Sequence, residues 1–293
     1  MKSKAAAAPY LVWMAIFIIV PMFLVIFFAF TDKSGSFSLE NIMQVGQYSN
    51  VFLRSIWLGA IATFVCLLIG YPLAYIIAHC KARRQNVMIM LVMLPMWMNF
   101  LLRTYSWMSI LENNGLLNQF FQNIGLIDLY NQIAMHFSAN PAKYVPIDHF
   151  QMIGTQGAVV LGMVYNYLPF MILPIYSVLV KLDHSLVEAA RDLGAGRAQV
   201  FQKVILPLSL PGVLSGITMV FVPAVSTFII SKMLGGGANL LIGDLIDMQF
   251  LGSAYNPNLG SAISLVLMVL ILICMGIMNQ FDDGEKATGG IMI

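Results

Sequence analysis

Six stretches of this chain run for about 20 residues or more almost without charge, and nothing else in the sequence limits the fold so strongly. They are Tyr10–Phe30, Ser55–Ala78, Gln85–Ile110, Gln156–Val180, Val204–Ile230 and Leu259–Met278, and only the third holds a charge, Arg103. A helix rises about 1.5 Å per residue, so about 20 apolar residues cross a hydrocarbon core of about 30 Å. With a residue of latitude at the ends, the expected spans are 10–30, 55–79, 85–111, 156–180, 204–230 and 259–279, with helices at 183–203 on one side and a long connection at 112–155 on the other. Composition agrees: 59% of residues are apolar and 10% charged, where soluble domains hold about 45–50% and 25%. A soluble surface cannot be built from that, which excludes a secreted disulfide scaffold, a disordered chain and a nucleic-acid binder. Cys66, Cys80 and Cys274 are odd in number and lack CxxC spacing, so neither a disulfide framework nor a metal site is expected.

The first run follows Lys2 and Lys4 in the manner of a signal peptide, but its 21 uncharged residues exceed the about 7–15 of a typical signal core, and a retained span is expected. Orientation follows from Lys and Arg counts on alternate sides. Lys2, Lys4, Lys81, Arg83, Arg84, Lys181, Arg191, Arg197, Lys203 and Lys286 make ten on one side, against four on the other, Lys33, Arg54, Lys143 and Lys232. The richer side is expected to be cytoplasmic, with both termini there. Pro21, Pro72, Pro95, Pro169, Pro174, Pro207, Pro211 and Pro223 interrupt the runs. They mark either static kinks or helices broken around a path, since freed backbone groups in lipid need neighbours or water. No internal repeat is evident, which weighs against many secondary-transporter folds.

Between the fourth and fifth runs, Asp183 is a candidate cap, good helix formers follow, Gly194 or Gly196 ends the first helix, and a second stretch leads to Pro207. Leu182, Leu186, Ala189, Ala190 and Leu193 recur at helical spacing, with Glu188, Arg191 and Asp192 beside them. The charges are mixed, which fits a docking helix better than one lying on headgroups.

This segment carries a resemblance. Glu188-Ala189-Ala190, three residues, Gly194, nine residues, then Val204-Ile205-Leu206-Pro207 resembles the EAA signature of the permease subunits of ABC importers, with Val204 where isoleucine is usual. In that family the helix is a coupling helix seated in a groove of the ATPase subunit. Further stretches, Gly70-Tyr71-Pro72, Leu94-Pro95-Met96-Trp97, Leu102-Arg103-Thr104-Tyr105, Tyr167-Leu168-Pro169-Phe170-Met171 and Asn239-Leu240-Leu241-Ile242-Gly243 with Gln249-Phe250, are similar to the B-type permeases of spermidine/putrescine importers. One departure is the longer connection from Asn131 to Thr155, with His136, Lys143, Asp148 and His149.

The resemblance implies an all-α integral membrane protein over residues 1–293, with six transmembrane helices and type I ABC importer architecture. It implies a second homologous permease subunit, a dimer of ATP-binding subunits, an external polyamine-binding protein and membrane lipid as partners. This chain holds no GxxxxGK[ST] phosphate cradle, so no catalytic residue or cofactor is expected in it, and ATP and Mg belong to the partner ATPase. Contact with that subunit would fall to Glu188, Ala189, Ala190, Arg191, Gly194, Leu206 and Pro207. Iron or a sugar are alternative cargoes within the family. An ion-coupled transporter would want a carboxylate or His in a span, and an intramembrane enzyme a Ser/His, Asp/Asp or HExxH set. Neither pattern is present: the spans hold no carboxylate, and His79, His136, His149 and His184 are scattered at span edges or in loops.

Candidates for a polycation path are few, because the six runs contain no Asp or Glu. Trp97 and Tyr105 offer aromatic faces to ammonium groups, or serve as an interfacial belt. Asn99, Arg103 and Trp107 share a helical face. On a straight helix Arg103 lies about 27 Å from Gln85, near the membrane edge, with Glu112 as a partner and a structural role. Asn166, between Tyr165 and Tyr167, either lines the path or bonds a neighbouring helix. Seven carboxylates, Asp32, Glu40, Glu112, Asp128, Asp148, Asp244 and Asp247, fall in the less basic connections and attract cations at long range. Asp244 and Asp247, one helical turn apart beyond Gly235-Gly236-Gly237, are the sharpest pair, read either as path residues or as solvated charge.

Overall fold

The computed structural model describes residues 8–32, 34–137, 145–237, 239–252 and 254–289. Lys2, Lys4, Lys33 and Lys143 lie outside these, as do the side chains of His184 and Lys286. Among the described residues every regular element is a helix, apart from one isolated bridge between Thr31 and Phe37.

Five helical segments are long and apolar enough to cross a membrane. The first, α1 (Pro9–Ala29), is followed by a short α2 (Glu40–Val45) that runs through a 3-10 turn into α3 (Ser49–Ala78). The third is α8 (Gln156–Leu179), the fourth joins α10 (Arg197–Val200) to α11 (Leu206–Ser226), and the fifth opens α14 (Pro257–Gly289). A sixth crossing is a bent pair, α4 (Ala82–Trp97) and α5 (Phe100–Leu111), the latter leading to α6 (Leu116–Asn123), with an 88° angle at the break. Counting that pair once gives the six crossings expected from the apolar runs. Short helices complete the chain: α7 (Leu126–Phe137), α9 (His184–Asp192), α12 (Ile229–Leu234) and α13 (Ile242–Phe250).

Of the two readings left open for the prolines, kink or break, Pro95 marks a break, and with it goes the straight-helix depth of Arg103. Pro95 takes an N–H out of the ladder, Met98 turns extended at ψ 147°, and Asn99 accepts the Leu101 N–H at 2.8 Å as the cap of a new helix. Apolarity runs on through the break, which conceals it. The other internal prolines, Pro72, Pro169, Pro174, Pro211 and Pro223, sit within continuous helices. Pro21 and Pro207 each follow a π-helical turn, Ala15–Ile19 and Phe201–Ile205. A proline ring clashes with the carbonyl four residues before it, and a wider turn there relieves the clash.

The core is a three-helix seam of α3, α8 and α11. Without a water-driven force between helices in lipid, tight approach through small residues does the work. Gly212 shows how tight: a Cβ there would stand 2.9 Å from the Pro174 carbonyl oxygen and 3.1 Å from the Ile175 Cα. A second cluster gathers α1, α2, α13 and α14 around Ala29, Phe52, Ile242 and Ile263. The outward faces of α1 stay bare, with Phe17 62% and Phe23 66% exposed, as suits a helix apolar all round in lipid or against a partner span.

In the long connection, the described residues 112–137 and 145–155 are organised by helices and side-chain bonds. Helices α6 and α7 form a hairpin held by two asparagines. Asn118 gives its Nδ2 to the Phe150 carbonyl and takes the Phe150 N–H, and Asn131 does the same with Ile147.

Replacing Gly212 by Leu forces α8 and α11 apart and is expected to destabilise by about 1–3 kcal/mol, read as a lower Tm of the detergent-purified protein. Gly46→Ala, where nothing lies within 4 Å, is expected to leave Tm within a degree or two of the parent, in keeping with its neutral surroundings.

Candidate functional site

The coupling candidates and the Asp244–Asp247 pair lie in two regions at opposite ends of the bundle, and the other path candidates are spread between them. At one end, α9 begins where Asp183 accepts the Ser185 N–H at 2.9 Å. It ends at Gly194, whose φ of +81° belongs to the left-handed region that side chains avoid. There the Gly194 N–H donates to the Arg191 carbonyl at 2.8 Å and the Ala195 N–H to the Ala190 carbonyl at 3.0 Å, closing the helix. A corner follows, in which Gln199 Oε1 accepts the Gly196 N–H at 3.0 Å. The chain then runs without interruption from Arg197 to Ser226.

The apolar stripe expected on one face of α9 divides in two. Leu182, Val187 and Ala190 pack against the core, whereas Leu186, Ala189 and Leu193 are exposed, Leu193 by 89%. Glu188 and Arg191 are exposed beside them, and among the described residues no ion pair joins the two. The outward face therefore offers apolar side chains flanked by unpaired charges. Phe201 fixes the base of this segment: its ring meets Tyr71 and Tyr75 of α3 edge-on, at 5.8 and 5.7 Å between centroids. Tyr71 also shares a hydrogen bond with Ser209 at 2.9 Å, and Leu206 and Pro207 lie on the helix that results.

The path candidates do not assemble into one site. Trp97, at the end of α4, is 72% exposed, and Tyr105 on α5 is 53% exposed. Asn99 serves as the cap of α5. Tyr165 packs edge-on to Trp107 at 5.3 Å. Asn166 is buried and donates to the Gly162 carbonyl of its own helix at 2.8 Å, while its Oδ1 has no partner. Arg103 departs most from expectation. The bend removes the straight-helix argument for its depth, it is buried, and among the described residues no ion pair joins it to Glu112. Its guanidinium lies over Phe100 at 5.8 Å, with Nε and Nη1 unpartnered.

At the other end, α12, the corner at Gly235–Gly237 and α13 enclose a cavity of about 310 Å³ lined by Lys232, Asn239, Asp244 and Asp247. Gly236 and Gly237 adopt φ of +58° and +75° to make the corner. Asp244 is not the solvated charge that its place in a connection allows, being 4% exposed. Its Oδ2 accepts the Leu241 N–H at 2.9 Å; among the described residues its Oδ1 has no hydrogen bond in this geometry, because the Ser231 hydroxyl, close to the carboxylate, is turned to donate to the Phe228 carbonyl. Burial raises its pKa above the ordinary carboxylate value, and the Ser231 hydroxyl and Leu241 N–H oppose that shift. Asp247 pairs with Lys232 at 2.9 Å, which raises the lysine's pKa. The sequence separates Lys232 from this pair, and only the glycine corner brings it over them.

The profile of the family described as "Binding-protein-dependent transport system inner membrane component" matches residues 70–285, from the middle of α3 into α14. The chain belongs to that family. As an inner membrane component it spans nearly the whole of its curated relatives. The "Spermidine/putrescine transport system permease protein PotB" of Haemophilus influenzae is 36% identical over 92% of this chain and 90% of its own length. The protein of the same name in Escherichia coli (strain K12) is 35% identical over 88% and 90%. In fold, this inner membrane component resembles a chain of a bacterial alginate ABC transporter solved with an alginate pentasaccharide-bound periplasmic protein, at TM-score 0.71 and 17% identity over 94% and 92% of the two chains. The architecture is that of an ABC importer permease, a transport subunit.

Asp183→Ala removes the cap of α9 and is expected to cost that helix about 1 kcal/mol. Amide exchange at Leu186 and Val187 should rise about fivefold, as such a loss implies, with exchange in α8 unchanged, as read by hydrogen–deuterium exchange.

Proposed function

We propose that this chain is the B-type permease subunit of an ATP-driven importer of polyamines such as spermidine and putrescine. It would line the translocation path together with a second, homologous permease. What carries the reading is the segment from Asp183 to Pro207: an exposed helix with a bare apolar face, continuous through its corner with a membrane-crossing helix. Such a segment transmits force only if something outside the bundle grips it. With no phosphate cradle in the chain, the grip belongs to a separate ATP-binding subunit, present as a dimer and holding the ATP and Mg. Leu186, Ala189 and Leu193 would fill its groove, with Glu188 and Arg191 as charged contacts. The Lys and Arg asymmetry supports placing this segment, and both termini, in the cytoplasm. The end with α6, α7, α12 and α13 then faces outward, where an external polyamine-binding protein would dock.

In this reading, closure of the ATPase dimer shifts α9, and Phe201 with its tyrosine neighbours carries the shift into α3 and α11. The seam of α3, α8 and α11 moves as one body and opens the path outward. The cargo assignment leans on the 36% identity to a spermidine/putrescine permease, and on the absence of carboxylates from the crossings, which leaves aromatic faces such as Trp97 and Tyr105 to conduct ammonium groups at low desolvation cost.

The test uses vesicles holding the full assembly, with the external binding protein and ATP supplied, and follows labelled spermidine and putrescine. Glu188→Ala is expected to cut uptake to below about a tenth of the parent, a loss of about 1.4 kcal/mol or more in coupling, with the chain inserted at parental level. Parental uptake in that variant refutes the grip on α9. A parental assembly that imports neither polyamine refutes the cargo.

A further inference from the structure

The cavity beside Asp244 combines two observations of different kinds. It holds a pair of carboxylates one turn apart on α13, and one of them, Asp244, is more than nine-tenths buried with its Oδ1 unpartnered. A buried carboxylate oxygen without a donor is costly, and native folds keep few of them outside functional sites. Leu240 and Met248 give the rest of the wall an apolar character. The cation that answers this site from within the protein is Lys232. Its side chain is 66% exposed, and its Nζ reaches in to Asp247 Oδ2 at 2.9 Å without capping Asp244 Oδ1.

Lysine's side chain is a primary ammonium on four methylenes, which is also the chemistry of the aminobutyl end of a linear polyamine. A cavity of about 310 Å³ has room for such a segment, its methylenes against Leu240 and Met248 and its ammonium on Asp247, with the covered carboxylate of Asp244 directly behind. Lys232 holds Asp247 from the open side, its own side chain 66% exposed and that of Asp247 only 16%, so the lysine can swing out into water and leave the carboxylate to another ammonium. The bond from Oδ2 to the Leu241 N–H keeps Asp244 in place whether or not the site is filled.

Resting on the polyamine reading above, we propose that this cavity is a capture site for one terminal alkylammonium of the substrate. Asp247 receives it with the charge of Asp244 behind, and Lys232 is a tethered competitor that the incoming ammonium displaces from Asp247. The site stands at the end of the bundle away from α9 and keeps its own counter-ion while empty of cargo, so the two carboxylates do not hold metal or stray cations between deliveries.

Equilibrium binding of labelled spermidine to the full membrane assembly in nanodiscs, without the external binding protein, tests this. Asp244→Asn keeps an oxygen to accept the Leu241 N–H and removes the charge, and is expected to weaken Kd at least tenfold. Lys232→Met keeps an unbranched stem close to lysine's and removes the competitor's charge, and is expected to tighten Kd about threefold. An unchanged Kd in Asp244→Asn, an unchanged or weaker Kd in Lys232→Met, or no saturable binding by the parent overturns the site. Should Asp244→Asn fail to accumulate, the exposed Lys232→Met decides alone. Uptake by the same parental preparation with its binding protein reports separately on the cargo: transport with unchanged Kd values sinks only the capture site, and absence of transport sinks the cargo reading with it.

Discussion

The close approach of α8 to α11 is the contact on which the rest of this protein depends. In lipid the helices gain nothing from excluding water from one another, so they hold together only where their backbones come near enough for dispersion to accumulate. Gly212, pressed on the backbone at Pro174 and Ile175, is where that happens. Because α3 joins the same seam, three crossings behave as one rigid block. The polar features at either end are displaced together when that block turns.

This rigidity gives meaning to the segment before α11. A helix merely tethered to the bundle by a loop dissipates a push from outside. Here the chain passes from the corner at Gly196 into α11 as one helix, and Phe201 wedges its base against Tyr71 and Tyr75. The opposite end is built differently, from short helices and asparagine clamps that pin α6 and α7 to the irregular stretch at 147–150. One end of the bundle is thus stiffened by a continuous helix, and the other is clasped by side chains bonded to backbone.

Much of this is legible in the residues themselves. The apolar runs announce the crossings because length and charge alone decide whether a helix can lie in hydrocarbon. Asp183 and Gly194 announce the bounds of α9 because capping is local chemistry. Other features depend on contacts that local pattern cannot hold. The break at Met98 is invisible to apolarity, although Pro95 followed by Asn99 is a stop followed by a start. The division of the α9 stripe into an inner and an outer face depends on where the bundle stands. The clamps of Asn118 and Asn131 bond to backbone far along the chain. Asp244 looks like a solvated loop carboxylate until the glycine corner folds it beneath Lys232, and Arg103 looks like an edge residue until the bend removes the straight helix on which that reading rests.

The π-helical turn at Phe201–Ile205 has a geometric corollary. A π turn carries one residue more than an α turn, and each residue of a helix sweeps about 100° around the axis. The compass bearing of Leu186, Ala189 and Leu193 relative to the bundle is thus fixed by a single surplus residue, lodged there by the ring of Pro207. On an unbroken α spiral behind the same corner, those side chains would point a quarter-turn or more away from where this chain holds them.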